Sequence, residues 1–239
     1  MPALLAIIPA RLGSTRLPRK VLLDRTGKPL IQHVWEGAKA CPLIDRILVA
    51  TDAEEVLRAV ESFGGEAVIT SPDCRSGTDR VAEAARAVPD VELVLNIQGD
   101  EPEICPEPLT ALINGMRDRP EIEMGTVATP WPEGLSPTDP GFVKVVLDGN
   151  GDALYFSRAP IPAGTPRLKH VGLYAFRPAF LQTYAAMEPS PLERAESLEQ
   201  LRALENGHRI AVFTCEYHGA EINTPGDYER YVERMKAKG

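Results

Sequence analysis

Two short segments hold the residue types that phosphate chemistry needs. Residues 10–20 read ARLGSTRLPRK and set four cations, Arg11, Arg16, Arg19 and Lys20, in eleven residues of a chain whose net charge is -8. Gly13, Ser14 and Thr15 lie among them, small residues whose backbone N–H groups can come close to an anion. The segment opens where the apolar run LLAIIP (Leu4–Pro9) ends, and open α/β sheets bind ligands at the carboxyl ends of their strands. Together these features predict a cradle for a polyphosphate. The second segment, Leu93–Pro102, reads LVLNIQGDEP and carries Asp100 just past a strand end, on the same predicted rim. A magnesium ion on a triphosphate takes one or two carboxylates, phosphate oxygens and water, and Asp100 suits that role. Glu101 beside it either supports the site or faces solvent.

Other chemistries lack their signatures. Gly27-Lys28 is followed by Pro29, so no Walker A motif forms, and no GxGxxG is present for a dinucleotide. An acidic chain is a poor partner for nucleic acid, whose backbone needs a basic face. The four cysteines, Cys41, Cys74, Cys105 and Cys215, form no CxxC pair, which predicts reduced thiols rather than zinc or redox chemistry. The opening MPALLAIIPAR has no basic stretch before its short apolar run and reads as a buried strand, not a signal peptide. No run approaches the ~20 apolar residues of a membrane span. The expectation is a cytoplasmic protein with no membrane partner.

Positioning these residues requires an alternating framework. Strands are predicted at Leu4–Pro9, Arg46–Ala50, Glu66–Thr70 and Leu93–Gln98. Helices are predicted between them, at Pro29–Ala40, Ala53–Phe63 ending on Gly64-Gly65, and Gly77–Val88 with Ser76 as N-cap. That rhythm implies an α/β fold with a mostly parallel sheet. The second half differs: strands at Met124–Thr129, Phe142–Leu147, Ala153–Ser157 and His170–Phe176 suggest an antiparallel or mixed extension. Helices follow at Pro178–Ala186 and Pro191–Asn206, the latter capped by Gly207. A strand at Arg209–Thr214 and a helix at Pro225–Lys236 complete the chain. The proline-dense stretches 102–108, 130–140 and 160–166 read as loops.

With these elements in place, the sequence resembles the CMP-Kdo synthetases, the 3-deoxy-manno-octulosonate cytidylyltransferases. The opening IIPAR…STRLP…K is shared among several sugar nucleotidyltransferases. Specificity comes from the ordered set VATD (49–52), SGTDR (76–80), NIQGDEP (96–102), VKVVLD (143–148), ALYFSRAPIP (153–162), KHVGLYAFR (169–177) and PSPLERAESLEQLRALENG (189–207). The resemblance implies a three-layer α/β/α nucleotidyltransferase fold in one domain. Its nucleotide-binding core would span about 1–130 and 208–239, and a smaller mixed-sheet region of about 131–207 would bind the sugar and pair two subunits. It implies CTP and the sugar acid Kdo as substrates, magnesium as cofactor and a homodimer. Arg11, Arg16 and Lys20 match the phosphate loop. Pro9, Ala10, Arg11, Ser76, Gly77, Thr78 and Gln98 match positions around the nucleotide, Asp100 the metal-binding aspartate, and Arg158, His170, Tyr174, Glu199 and Gln200 the sugar pocket.

The bare residues leave alternatives for several of these. His170, in an apolar strand, reads also as a buried structural histidine, and it is a general base only if it lies at the sugar hydroxyl. Tyr174 shares its face by period-two spacing, as pocket wall or core. Glu199 and Gln200 read also as a solvated helix face. The sequence departs from the family at three places: Arg19 stands where the family has Gly, NTP at 223–225 replaces DTP, and the stretch between Pro162 and His170 is shorter. Asn223 would offer the metal a neutral carbonyl oxygen without the charge. The rival functions are the same chemistry on an 8-amino Kdo analogue or a neuraminic acid, and a non-catalytic nucleotide-binding protein of the same fold.

Overall fold

The computed structural model of the protein describes residues 3–14, 16–164 and 166–238, so Thr15 of the basic loop lies outside the described residues. The chain divides into two compact units. One runs to Pro106 and resumes from His218; the other is Glu107–Tyr217.

In the first unit strands and helices alternate: β1 (Ala3–Pro9), α1 (Leu30–Lys39), β2 (Arg46–Thr51), α2 (Glu54–Ser62), β3 (Glu66–Ile69), α3 (Gly77–Ala85) and β4 (Val91–Asn96). A 3-10 turn, Lys20–Leu22, lies between β1 and α1. The strands pair in parallel in the order β3-β2-β1-β4. Leu4 through Ile8 are wholly inaccessible. A strand apolar at every position must be covered on both faces, which is the condition of a parallel sheet. The helix punctuation follows the sequence: Gly64 turns the chain after α2 at φ +81°, and the Ser76 hydroxyl accepts the Asp79 N–H at the start of α3.

The second unit holds α4 (Pro106–Asp118), β5 (Met124–Pro130), β6 (Lys144–Leu147), β7 (Ala153–Ser157), β8 (Leu168–Phe176), α5 (Pro178–Ala186), α6 (Pro191–Glu196), α7 (Leu201–Glu205) and β9 (Ile210–Thr214). Strand β5 runs antiparallel to β8 and parallel to β9, and β6 joins β7 to β8. The last helix, α8 (Pro225–Lys238), belongs to the first unit.

Three expectations change. The boundaries fall at 106/107 and 217/218 rather than near 130 and 207, because β5 pairs with both β8 and β9. Residues 106–118 form a helix in a stretch whose start read as a proline loop. Pro106 and Pro108 sit in its first turn, where an N–H has no intrahelical acceptor to lose. The single helix expected over 191–206 is broken at Ser197, which takes a left-handed conformation with φ 55° and ψ 49°. Glu199 and Gln200 therefore lie in the link between α6 and α7, not on a helix face.

Candidate active site

The basic loop starts where β1 stops, and it is fixed from below. The N–H of Ala10 donates to Ala50 O at 2.8 Å, and that of Leu12 to Asp52 Oδ1 at 3.4 Å. Leu17 is buried in a cluster with Leu30, Ile222, Tyr228, Tyr231 and Val232. Burying Leu17 and Ile222 together brings their polar neighbours side by side: Arg16 Nη2 donates to Asn223 Oδ1 at 3.0 Å. The Ile222 N–H also donates to the backbone oxygen of Asp100 at 2.9 Å. Lys20 Nζ lies 2.5 Å from Asp100 Oδ2. Arg16, Lys20, Asp100 and Asn223, picked out from three separate stretches of sequence, thus meet on one rim of the first unit. Arg11 is exposed and makes no ion pair among the described residues.

The other nucleotide candidates gather beside them. A Cβ added to Gly77 would touch Pro9 Cγ at 3.4 Å and Gln98 Oε1 at 3.9 Å, so Pro9, Gly77 and Gln98 are neighbours. A Cβ on Gly99 would stand 2.7 Å from Pro9 O, closer than a side chain can stand to fixed backbone, so only glycine lets the ends of β1 and β4 approach. Ala10 and Thr78 are buried, and the Thr78 hydroxyl accepts from Asn96 Nδ2 at 3.2 Å. The N–H of Gly77, in the first turn of α3, has no intrahelical acceptor. Glu101 is 3% exposed, which rules out the solvent-facing alternative.

The residues at Asp100 fit a hard cation. Asp100 is a partly exposed carboxylate with Lys20 on one oxygen, and Asn223 adds an amide oxygen from the segment hydrogen-bonded to its backbone. One carboxylate with one neutral oxygen is a donor set that phosphate oxygens and water would complete. The Asn223 amide also donates from Nδ2 to Glu221 Oε2 at 2.8 Å, a contact an aspartate could not make. Arg19, another of the three departures, has φ 55° and a two-pronged pair with Glu55 of α2, one arm at 2.9 Å.

Two supporting residues escaped the sequence reading. Arg80, 3% exposed, donates to Asp52 Oδ2 at 2.9 Å and to Thr70 Oγ1 at 2.5 Å. Asp52 in turn receives the Leu12 N–H of the basic loop. The VATD and SGTDR stretches contain this pair. A charge in the first turns of an otherwise apolar-faced helix was the only available signal.

In the second unit, His170 and Tyr174 share a face of β8, with ring centroids 5.4 Å apart. His170 Nε2 is 2.9 Å from Thr126 Oγ1, and that hydroxyl donates to Leu173 O at 2.8 Å. The hydroxyl's one hydrogen is thus engaged, which casts Nε2–H as the donor to it. His170 retains some exposure, yet the protein packed around the ring, and then the Lys169 ammonium, push its pKa down to about 3. An imidazole that stays neutral and weakly basic is poorly suited to act as a general base.

Arg158 is held by carbonyls: Nε by Glu196 O at 3.1 Å, Nη1 by Pro140 O at 2.8 Å and Nη2 by Ser197 O at 3.4 Å. The chain break after α6 supplies two of these. No carboxylate pairs with the guanidinium among the described residues, so its charge remains for an anionic ligand. Gln200 is 3% exposed, and its Nε2 has no hydrogen-bond partner among the described residues. A buried amide donor in that state can be satisfied by a water or a ligand oxygen. The Glu199 carbonyl accepts the Tyr184 hydroxyl at 2.6 Å, which fixes the backbone beside it.

Comparison with known proteins gives the family. A family model described as Cytidylyltransferase matches residues 5–210. The 3-deoxy-manno-octulosonate cytidylyltransferase of Anaeromyxobacter sp. (strain K) is 52% identical over 232 residues, covering 94% of this chain and 94% of that protein. Its counterpart in Synechococcus elongatus is 47% identical over 236 residues, covering 96% and 97%. A solved structure of CMP:2-keto-3-deoxy-manno-octonic acid synthetase complexed with CTP aligns with a TM-score of 0.94 at 42% identity, over 99% of this chain and 100% of that one. The chain belongs to the 3-deoxy-manno-octulosonate cytidylyltransferases, within the cytidylyltransferase family.

Proposed function

We propose that this protein joins Kdo to CMP, consuming CTP, releasing pyrophosphate and using magnesium. The observation that carries the reading is the meeting of Arg16, Lys20, Asp100 and Asn223 on one strand-end rim. Cations beside a hard-oxygen donor pair are what a metal-bound triphosphate requires. The anomeric hydroxyl oxygen of Kdo bonds to the α-phosphorus as the bond from that phosphorus to the bridging oxygen breaks; the hydroxyl proton leaves to solvent. This in-line displacement needs positioning and charge neutralisation rather than a covalent nucleophile.

Arg11, Arg16 and Lys20 offset the charge that grows on departing pyrophosphate. Lys20 holds Asp100 until the polyphosphate offers it other oxygens. Pro9, Ala10, Ser76, Gly77, Thr78 and Gln98 receive the nucleoside end. Asp100, aided by the Asn223 carbonyl, would hold magnesium, which when bound polarises the α-phosphate and acidifies the attacking hydroxyl. Arg158 takes the Kdo carboxylate, while Gln200, His170, Tyr174 and Glu199 take its hydroxyls. A homodimer, a cytoplasmic location and a place in lipopolysaccharide synthesis belong to this reading through the family.

Pyrophosphate release measured with CTP plus Kdo, and with CTP alone, tests it. Release that depends on both substrates is expected. Release indifferent to Kdo contradicts the reading, and faster release with the 8-amino analogue moves the substrate.

A further inference from the structure

Lys144, on β6, is wholly inaccessible to solvent. Its ammonium has no carboxylate partner among the described residues. Nζ donates instead to two backbone oxygens, those of Asp139 at 2.8 Å and Arg158 at 2.7 Å, and stands 5.6 Å from the centre of the Trp131 ring. A buried ammonium is costly and is kept only where its surroundings compensate it. Two carbonyl dipoles and an aromatic face do so in part.

The two carbonyls locate the lysine's role. Lys144 grips the oxygen of Asp139, and the Arg158 guanidinium grips the oxygen of the next residue, Pro140, at 2.8 Å. Lys144 also grips the backbone of Arg158 itself. One ammonium therefore ties down both the main chain that carries the guanidinium and the loop on which the guanidinium rests. The rotamer-rich arginine side chain is left with little freedom, and the two positive charges lie close enough to act on each other, with the Asp139 and Glu196 carboxylates near enough to offset part of the ammonium's charge.

We propose that Lys144 is a positioning residue that holds Arg158 in place for the carboxylate of the sugar acid. The inference rests on the reading of Arg158 given above. Lys144, being inaccessible, does not touch the substrate; it acts through the arginine and through the added positive field.

Steady-state constants for both substrates, in Lys144→Met, Arg158→Met and the double variant, test the proposal. Lys144→Met should raise the KM for Kdo by on the order of tenfold or more and leave the KM for CTP unchanged. The double variant should be no worse for Kdo than Arg158→Met alone, since a residue acting through another has nothing left to act on. Lys144→Gln, which keeps amide donors for the carbonyls, should fall between native and Lys144→Met. If Lys144→Met does not fold, Lys144→Gln carries the same cycle. Losses that add in full, an equal rise in the KM for CTP, or an unchanged KM for Kdo overturns the proposal. Should Arg158→Met itself leave the KM for Kdo unmoved, the assignment of Arg158 falls first and the role of Lys144 with it; additive losses on top of a damaged Arg158→Met sink the positioning role alone.

Discussion

The ammonium of Lys20 stands 2.5 Å from Oδ2 of Asp100, across eighty residues of sequence, with both side chains largely buried. A cation and a carboxylate so placed neutralise each other; in the proposed reaction a polyphosphate and its metal would separate their tasks. Lys20→Ala should lower turnover by on the order of a hundredfold, the usual effect of losing a preorganised charge. Steady-state kinetics at saturating CTP check it, and a loss below about threefold removes Lys20 from the phosphates.

Asn223 bridges Arg16 and Glu221, accepting from the first at 3.0 Å and donating to the second at 2.8 Å. Aspartate at 223 adds an anionic oxygen for magnesium but sets it against the Glu221 carboxylate. Asn223→Asp combined with Glu221→Gln should therefore bind magnesium more tightly than either the native protein or Asn223→Asp alone. Manganese titration in the presence of CTP measures the order; no change in the double variant places Asn223 outside the metal shell.

His170 carries a pH prediction. Its pKa falls from 6.5 when free to about 3 in the fold, so the unfolded chain binds the extra proton in that interval. The fold thus has the full benefit of a neutral His170 above pH 6.5 and loses it progressively as pH drops toward 3. His170→Gln should flatten the acid-side decline of stability over that window. The native pH–rate profile near neutrality should show no titration assignable to His170. A rate limb near neutrality that disappears in His170→Gln would contradict both statements.

Gly99 joins β4 to Asp100 at a point where a Cβ would stand 2.7 Å from Pro9 O. The obstacle is backbone, which cannot swing aside. Gly99→Ala should cost about 1–3 kcal/mol of stability, as overpacking does, and impair activity by moving Asp100. Chemical denaturation checks the first part; a change within about 0.5 kcal/mol is the range of an indifferent surface site.

Much of this was legible before the fold was known, for identifiable reasons. LLAIIP, RILVA and LVLNIQ are apolar without alternation, so they announce strands buried on both faces, and strand ends in such sheets announce the rim. Arg16, Lys20 and Asp100 were placed there on that ground alone. Local rules failed where distant partners decide. Pro106 and Pro108 read as loop because their tolerance in a first helical turn depends on where the helix begins. Ser197 breaks the helix at α6 and turns carbonyls 196 and 197 toward Arg158. Lys144 looked like an ordinary charge in a short strand, since its burial and its grip on 139 and 158 are tertiary facts. The Arg80–Asp52 pair escaped for the same reason.

The proposed chemistry depends on where the triphosphate lies. A crystal structure of the protein with CTP and manganese, using the metal's anomalous signal, tests that most directly. The metal peak is expected at ligand distance from the Asp100 carboxylate, with the phosphates against Arg11, Arg16 and Lys20. A nucleotide bound away from this loop, or a metal peak with Asp100 turned from it, would contradict the account.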